Sequence, residues 1–251
     1  MPEEHARLSA SSSHRWLNCP GSASLEELYP SSTSVFAEEG TKAHAYAEQL
    51  LIYLFEDKIE ELKAYKSRLK DKDIEMYRCV MEYVEECMTL YESLKLKNEL
   101  TEARVELKVD LSKWIPKGFG TSDFNVVSDG VLYIRDLKYG RGVKVEAKGN
   151  TQLQLYALGV YEHLDWLYDI KRVNYGIIQP RLDWFDEEEI SIEQLIRIGE
   201  EIKTKAILAN SNVKEYHQGT WCKFCKARSE CKIRMTAIFS KINNILKQER
   251  K

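Results

Sequence analysis

Asp136 and Lys138 stand two residues apart in GVLYIRDLKYG (130–140), a β-branched run of alternating polarity. Residues two apart share one face of a strand, so a carboxylate and an ammonium project together. The preceding run, FGTSDFNVVSD, carries Asp123, and the Asp129-Gly130 pair after it makes the two runs an antiparallel hairpin. That register is consistent with Asp123 lying close to Asp136. Two carboxylates beside one ammonium repel each other when buried, and a hard divalent cation is the usual offset. Mg²⁺ or Mn²⁺ there would activate a water for phosphodiester hydrolysis, with Lys138 orienting that water or stabilising charge on the phosphate. Taken alone, Asp-x-Lys is also what a solvated strand edge carries.

Six cysteines offer a second chemistry. Cys79 and Cys87 sit in the helical stretch IEMYRCVMEYVEECMTLYESL, where small buried thiols are ordinary. Cys222, Cys225 and Cys231 form C-x2-C-x5-C, while Cys19 stands about two hundred residues earlier, next to Pro20. Three thiolates in one short loop can hold a metal or cluster whose fourth position is filled from afar. Tetrahedral zinc and an iron–sulfur cluster both accept four thiolates, and the spacing leaves the two open.

Several elements must position these groups. A short helix ends at Cys19, with Ser11 as its expected cap, and a Ser-rich loop follows Pro30. EEGTKAHAYAEQLLIYLFE has helical periodicity, with Thr41 as candidate cap and with His44 and Glu48 on one face. A charged linker leads to a long helix over about 73–96, then three strands, a helix from Asn150, a strand over 173–179 and a helix over 191–208. This β-β-β-α-β order predicts an α/β fold with a mixed sheet flanked by helices.

The composition fits a soluble enzyme. Hydrophobic residues make up 43% of the 251 and charged ones 31%, which excludes a disordered tail. The chain has no apolar run long enough for a membrane helix, and its start lacks a secretory pattern, so a cytoplasmic location is expected. A net charge of −3 does not announce a nucleic-acid coating protein, but it leaves room for basic contacts confined to one groove.

Gly40-Thr41-x-x-His44-x-x-x-Glu48, Gly120-x-x-Asp123, Asp136-x-Lys138 and Gln152-x-x-x-Tyr156 follow one another in that order. In this series the chain resembles the RecB-type branch of the PD-(D/E)XK nucleases, with a restriction-endonuclease-like core. The resemblance implies that His44, Asp123 and Asp136 ligate the metal, with the Leu137 carbonyl as a further ligand and Lys138 as the catalytic lysine. Gln152 and Tyr156 are then expected to contact DNA phosphates and support the site. Glu48 and Glu106 are read as structural or solvated in preference to assisting the metal. Ser122 replaces the proline of the superfamily's name, and Tyr139-Gly140 follows the lysine where relatives often have a small hydroxyl residue. The four cysteines resemble those of AddB-type helicase-nucleases and CRISPR-adaptation nucleases, which implies a [4Fe–4S] cluster on Cys19, Cys222, Cys225 and Cys231.

The expected organisation is a single nuclease domain over 1–251. Cluster-binding segments at 1–30 and 209–240 frame a core at 40–190, which contains a helical insertion at about 50–100. The expected activity is deoxyribonuclease, exonucleolytic on DNA ends in recombination or repair and encoded by a phage or mobile element. DNA is the partner, with a strand-annealing recombinase or a helicase beside it, since the chain has no phosphate-loop motif of its own. The alternatives are a non-catalytic iron–sulfur DNA-binding module of the same fold and a structural zinc protein. Arg141, Lys144 and Lys148 are basic candidates for the DNA path, though they also fit a plain exposed loop.

Overall fold

The computed structural model describes residues 6–30 and 34–248, so the Ser-rich loop expected after Pro30 lies largely outside the described residues. In chain order the elements are α1 (Ser13–Asn18), α2 (Ser22–Glu26), α3 (Val35–Phe55), α4 (Ile59–Lys72), α5 (Ile74–Lys95), β1 (Glu102–Asp110), β2 (Phe119–Ser128) and β3 (Val131–Leu137). They continue with α6 (Thr151–Leu164), β4 (Arg172–Gln179), β5 (Trp184–Ser191), α7 (Ile192–Asn210) and α8 (Lys232–Gln248). The chain divides into two compact units, one of residues 1–32, 111–119 and 199–251 and the other of residues 33–110 and 120–198.

The second unit holds a five-stranded mixed sheet in the order β1-β2-β3-β4-β5. β2 and β3 pair antiparallel, with Ser128 opposite Val131. Asp129 and Gly130 turn between them at φ 48° and 71°, the left-handed pair that a two-residue hairpin demands. β3 and β4 run parallel, joined through α6, and β4 and β5 are antiparallel. Strand β3 is buried almost throughout, as expected of a strand at the centre of a sheet covered on both faces.

Helices α3 and α5 cover this sheet. Ala43, Ala47, Leu50 and Leu51 of α3 and Met76, Val80, Tyr83, Val84 and Cys87 of α5 recur at helical spacing and pack with Phe124, Val126, Leu137 and Ile178. Asp73 caps α5 by accepting a hydrogen bond from the Met76 amide at 2.9 Å. The cap of α3 is Ser34, which accepts from Ala37 N at 3.1 Å, and not Thr41, whose hydroxyl donates back to the Ala37 carbonyl within the helix. The charged linker expected before α5 is in fact α4, a helix with only Leu69 buried.

In the first unit, α1 ends at Asn18 with Cys19 as its C-cap, as expected, but Ser12 rather than Ser11 is at its N-cap. Arg7 ties this unit together. Its guanidinium donates to the Asn210 carbonyl at 2.8 Å, to Asn210 Oδ1 at 3.0 Å and to Ser24 Oγ at 3.0 Å, while its Nε meets Glu27 at 2.5 Å.

Candidate functional site: a carboxylate centre and a cysteine centre

The hairpin sets Asp123 one step beyond the Phe124–Arg135 pair, which brings it next to Asp136 across the ladder. Asp123 Oδ2 accepts from the Leu137 amide at 2.9 Å and pairs with His44 Nδ1 at 3.2 Å. Lys138 Nζ lies 2.6 Å from Asp136 Oδ2 and donates to Gln152 Oε1 at 3.1 Å. The Gln152 amide nitrogen in turn donates to Asp136 Oδ1 at 3.3 Å and to the Tyr156 hydroxyl at 3.4 Å. Asn150 caps α6 by accepting from the Gln152 and Leu153 amides, which fixes Gln152 in the first turn, where it can reach the strand.

Among the described residues, His44, Glu106 and Asp123 form a set whose ligand atoms all lie within 4.8 Å of one another. Glu106 takes part although it belongs to strand β1, where its φ of 48° is left-handed. A side chain other than glycine rarely adopts that conformation inside a strand, and strain of this kind recurs at functional sites.

The charged groups of this centre shift one another strongly. Burial disfavours a charged His44, but the charge and hydrogen bond of Asp123 outweigh it and raise the imidazole to about 9. Glu106 is pushed up to about 7, first by burial and then by the neighbouring Asp123 charge. Burial raises Asp136 as well, against the pull of Lys138. Asp123 goes the other way, because His44 and Lys138 outweigh its burial. Asp136 is 2% exposed, and its Oδ2 faces the Lys138 ammonium at 2.6 Å. An acidic set with an imidazole among its clustered ligand atoms fits a hard divalent cation, for which oxygen and imidazole donors are the expected ligands.

The loop after Lys138 is fastened by side chains of β4 and β5. Gln179 donates to the carbonyls of Gly140 and Val143 at 2.7 and 3.0 Å and accepts from the Val145 amide at 3.1 Å. Asp186 and Glu188 accept the amides of Ala147 and Gly149 at 2.7 and 2.8 Å. Of the basic candidates, Arg141 is engaged by Glu75 and Lys144 lies over the Trp184 ring at 4.1 Å. Lys148 is exposed. Tyr139 is buried under the Arg181 guanidinium, 3.9 Å from its ring, and its hydroxyl is pushed up to about 12 by that burial.

The cysteine centre lies wholly in the first unit. Cys19, Cys222, Cys225 and Cys231 line one small cavity, together with Arg15, Arg228 and Arg234. The His217 amide donates to Cys19 Sγ at 3.4 Å. Gly21 passes so close to Tyr216 that a Cβ would stand 2.6 Å from its ring, which lets the Gly21 amide reach the Glu215 carbonyl at 2.8 Å. Glu26 braces the other side by accepting from the Lys226 amide at 2.6 Å and pairing with Arg15 at 2.5 Å. Burial pushes the Cys19 thiol up and takes Cys225 to about 11, so these sulfurs are held as thiols until a cation compensates them. By contrast Cys87 is fully buried in α5 and Cys79 nearly so, as the helical reading expects.

The family model described as "Protein of unknown function (DUF2800)" matches residues 5–250. The chain belongs to the DUF2800 family. Among solved structures, one described as "Crystal structure of SSO0001" is similar at a TM-score of 0.35 and 14% identity, with 77% of this chain and 84% of that chain covered. A likeness at that level carries no argument. No helix among the described residues is long and apolar enough to cross a membrane.

In this DUF2800 chain the structure brings together His44, Asp123, Asp136, Lys138, Gln152 and Tyr156, and separately the four cysteines. Leu137 touches the site through its amide, which donates to Asp123. Three residues enter that sequence reasoning set aside or missed. Glu106 arrives through its left-handed backbone, which no spacing announces. Glu26 and Arg15 brace the cysteine loop, and nothing in LEEL or SHRW marks them.

Proposed function

We propose that this DUF2800 protein is a metal-dependent DNA nuclease of the PD-(D/E)XK type, RecB-like in its motifs and carrying a [4Fe–4S] cluster on Cys19, Cys222, Cys225 and Cys231. The observation that carries the reading is the pairing of the His44–Glu106–Asp123 set with the Asp136–Lys138–Gln152 chain on adjoining strands. His44, Glu106, Asp123 and Asp136 would hold Mg²⁺ or Mn²⁺, and the gathering of the His44, Glu106 and Asp123 ligand atoms within 4.8 Å supports that assignment. When bound, such a cation supplies Lewis acidity and makes water a competent nucleophile at neutral pH.

The chain's own residues supply orientation and charge. Lys138 places a cation beside the carboxylates, where negative charge develops on a phosphodiester under attack. Gln152 locks both Lys138 and Asp136, and with Asp136 also engaged the ammonium keeps one further proton to donate. Tyr156, mostly buried, stays a neutral hydroxyl behind Gln152.

A cluster is favoured over zinc by the position of the cysteines on either side of the ordered nuclease-type motifs, since four thiolates satisfy either group. Its role is structural, holding the Cys19 segment to the loop of residues 222–231.

End-labelled linear DNA with Mg²⁺ or Mn²⁺ tests the reading. Progressive loss of label by the wild-type protein, and its abolition in Asp136→Ala and Lys138→Ala with melting unchanged, is expected. Undiminished cleavage by either variant would refute the site. Binding without cleavage by the wild type would leave a DNA-binding module of the same fold. Anaerobically purified protein should be brown and absorb near ~400 nm, whereas a colourless zinc-loaded protein would overturn the cluster.

A further inference from the structure

Charge is divided very unevenly between the two units. The unit carrying the cysteines has 16 Lys and Arg against 9 Asp and Glu, a net charge of +7. The unit carrying the carboxylate centre has 21 against 31, a net charge of −10. A chain whose overall balance is slightly acidic thus conceals a strongly basic part, the distribution expected where a polyanion is gripped.

Five of these basic residues fall within the cysteine loop and the first turn after it, residues 222–234. Lys223, Lys226, Arg228 and Lys232 are all exposed. Between the first two stands Phe224, which is 74% exposed, in a turn flanked by Cys222 and Cys225 and closed by a bond from the Cys225 amide to the Cys222 carbonyl at 3.3 Å. Lys223 Nζ lies 5.3 Å from the Phe224 ring centre. Arg228 donates to the Lys223 carbonyl at 2.7 Å and so holds the turn from below. A phenyl ring held out into water on a closed turn, with Lys223 beside it and further exposed cations nearby in the chain, has the two components with which proteins grip unpaired nucleic acid: an aromatic platform for a base and cations for the flanking phosphates.

We propose that the cysteine loop is a single-stranded DNA-binding surface, with Phe224 stacking on an unpaired base and Lys223 and Lys232 meeting the neighbouring phosphates. The inference deepens the nuclease reading by giving the substrate strand a second contact, and it stands or falls by binding alone. Single strands fit better than duplex because only an unstacked base offers its face to a ring. The cluster or metal on the cysteines then has a mechanical part to play, keeping the ring projected so that it cannot fold back against the chain.

Fluorescence anisotropy of a labelled oligothymidylate with the loaded full-length protein, without added divalent cation, measures this directly. Phe224→Ala should weaken binding by about fivefold or more, given ~1–3 kcal/mol per stacked base, with visible absorbance and melting unchanged, and Phe224→Trp should restore it. Lys223→Ala with Lys232→Ala should lower the slope of log affinity against log salt by roughly 0.7 for each cation removed. Equal affinity in wild type and Phe224→Ala, at full cluster content, overturns the proposal, as does binding to anionic lipid vesicles in place of the oligonucleotide. Oligonucleotide binding with this pattern but no cleavage in Mn²⁺ would sink the nuclease reading and leave the surface standing. Cleavage in Mn²⁺ together with equal oligonucleotide affinity in wild type and Phe224→Ala would do the reverse.

Discussion

Metal binding at the carboxylate centre should release protons in numbers that its two perturbed groups set. In the metal-free protein His44 holds a proton up to about pH 9 and Glu106 up to about pH 7. A cation that takes both as ligands must displace both protons, so its affinity rises with pH until each group is free. Between pH 8 and pH 6 the His44 proton weakens binding about 90-fold and the Glu106 proton about tenfold, by ordinary competition. The combined loss is roughly 1,000-fold. Titration calorimetry with Mn²⁺, in pairs of buffers with different ionisation heats, counts the protons directly. About one should leave per cation at pH 8 and about two at pH 6. Glu106→Gln should reduce the loss in affinity to about 100-fold and remove one proton at pH 6, because His44 owes its raised value mainly to Asp123. Affinity independent of pH, or no proton released at pH 8, would refute His44 as a ligand.

The same groups make the metal-free protein less stable as pH rises. Stabilisation from protonated His44 is complete below about 6.5 and lost through about 9, while the cost of ionising buried Glu106 builds from about 4.5 to about 7, so melting temperature should fall from pH 6 to pH 9 and recover with Mn²⁺; a rise would contradict both assignments. Arg15→Ala leaves the largely buried Glu26 carboxylate without its cation and should cost about 3–5 kcal/mol in urea denaturation. A loss well below that would mean Glu26 is not confined. Gln152→Leu removes the group that holds both Lys138 and Asp136, and should lower cleavage about 100-fold with melting nearly unchanged, whereas an unaltered rate would dismiss its positioning role. Leu50→Ala, at a site with no exposure, should cost about 2–5 kcal/mol by the same urea assay, and a cost near zero would argue against the packing of α3 on the sheet.

Where local chemistry decides the structure, the sequence was easy to read. Asp129-Gly130 dictates the hairpin, Asp73 and Asn150 cap their helices, and period-two alternation places Asp136 and Lys138 on one face. The misreadings fall where packing is weak or polar. Helix α4 buries little beyond Leu69 and is held by its neighbours α3 and α5, so its charged sequence reads as a linker. Strand β5 was not expected because WFDEEEIS is rich in acids that disfavour strands. Its Asp186 and Glu188 are spent on the amides of the loop after Lys138, a use that periodicity does not reveal. At the candidate site the acids of the ordered motifs were legible, whereas Glu106 depended on a left-handed residue within β1 and Glu26 on a contact about two hundred residues away in sequence.

That separation bears on how the molecule is made. Of the four sulfurs lining the cysteine cavity, one leaves the ribosome with residue 19 and the other three only after residue 222. A group requiring all four cannot be seated until Cys231 has been synthesised. Loading of such a group would therefore report that translation has passed this residue, because a chain cut short before it lacks a full set of ligands. A copy truncated there would keep the residues of the carboxylate centre but offer the group no complete seat.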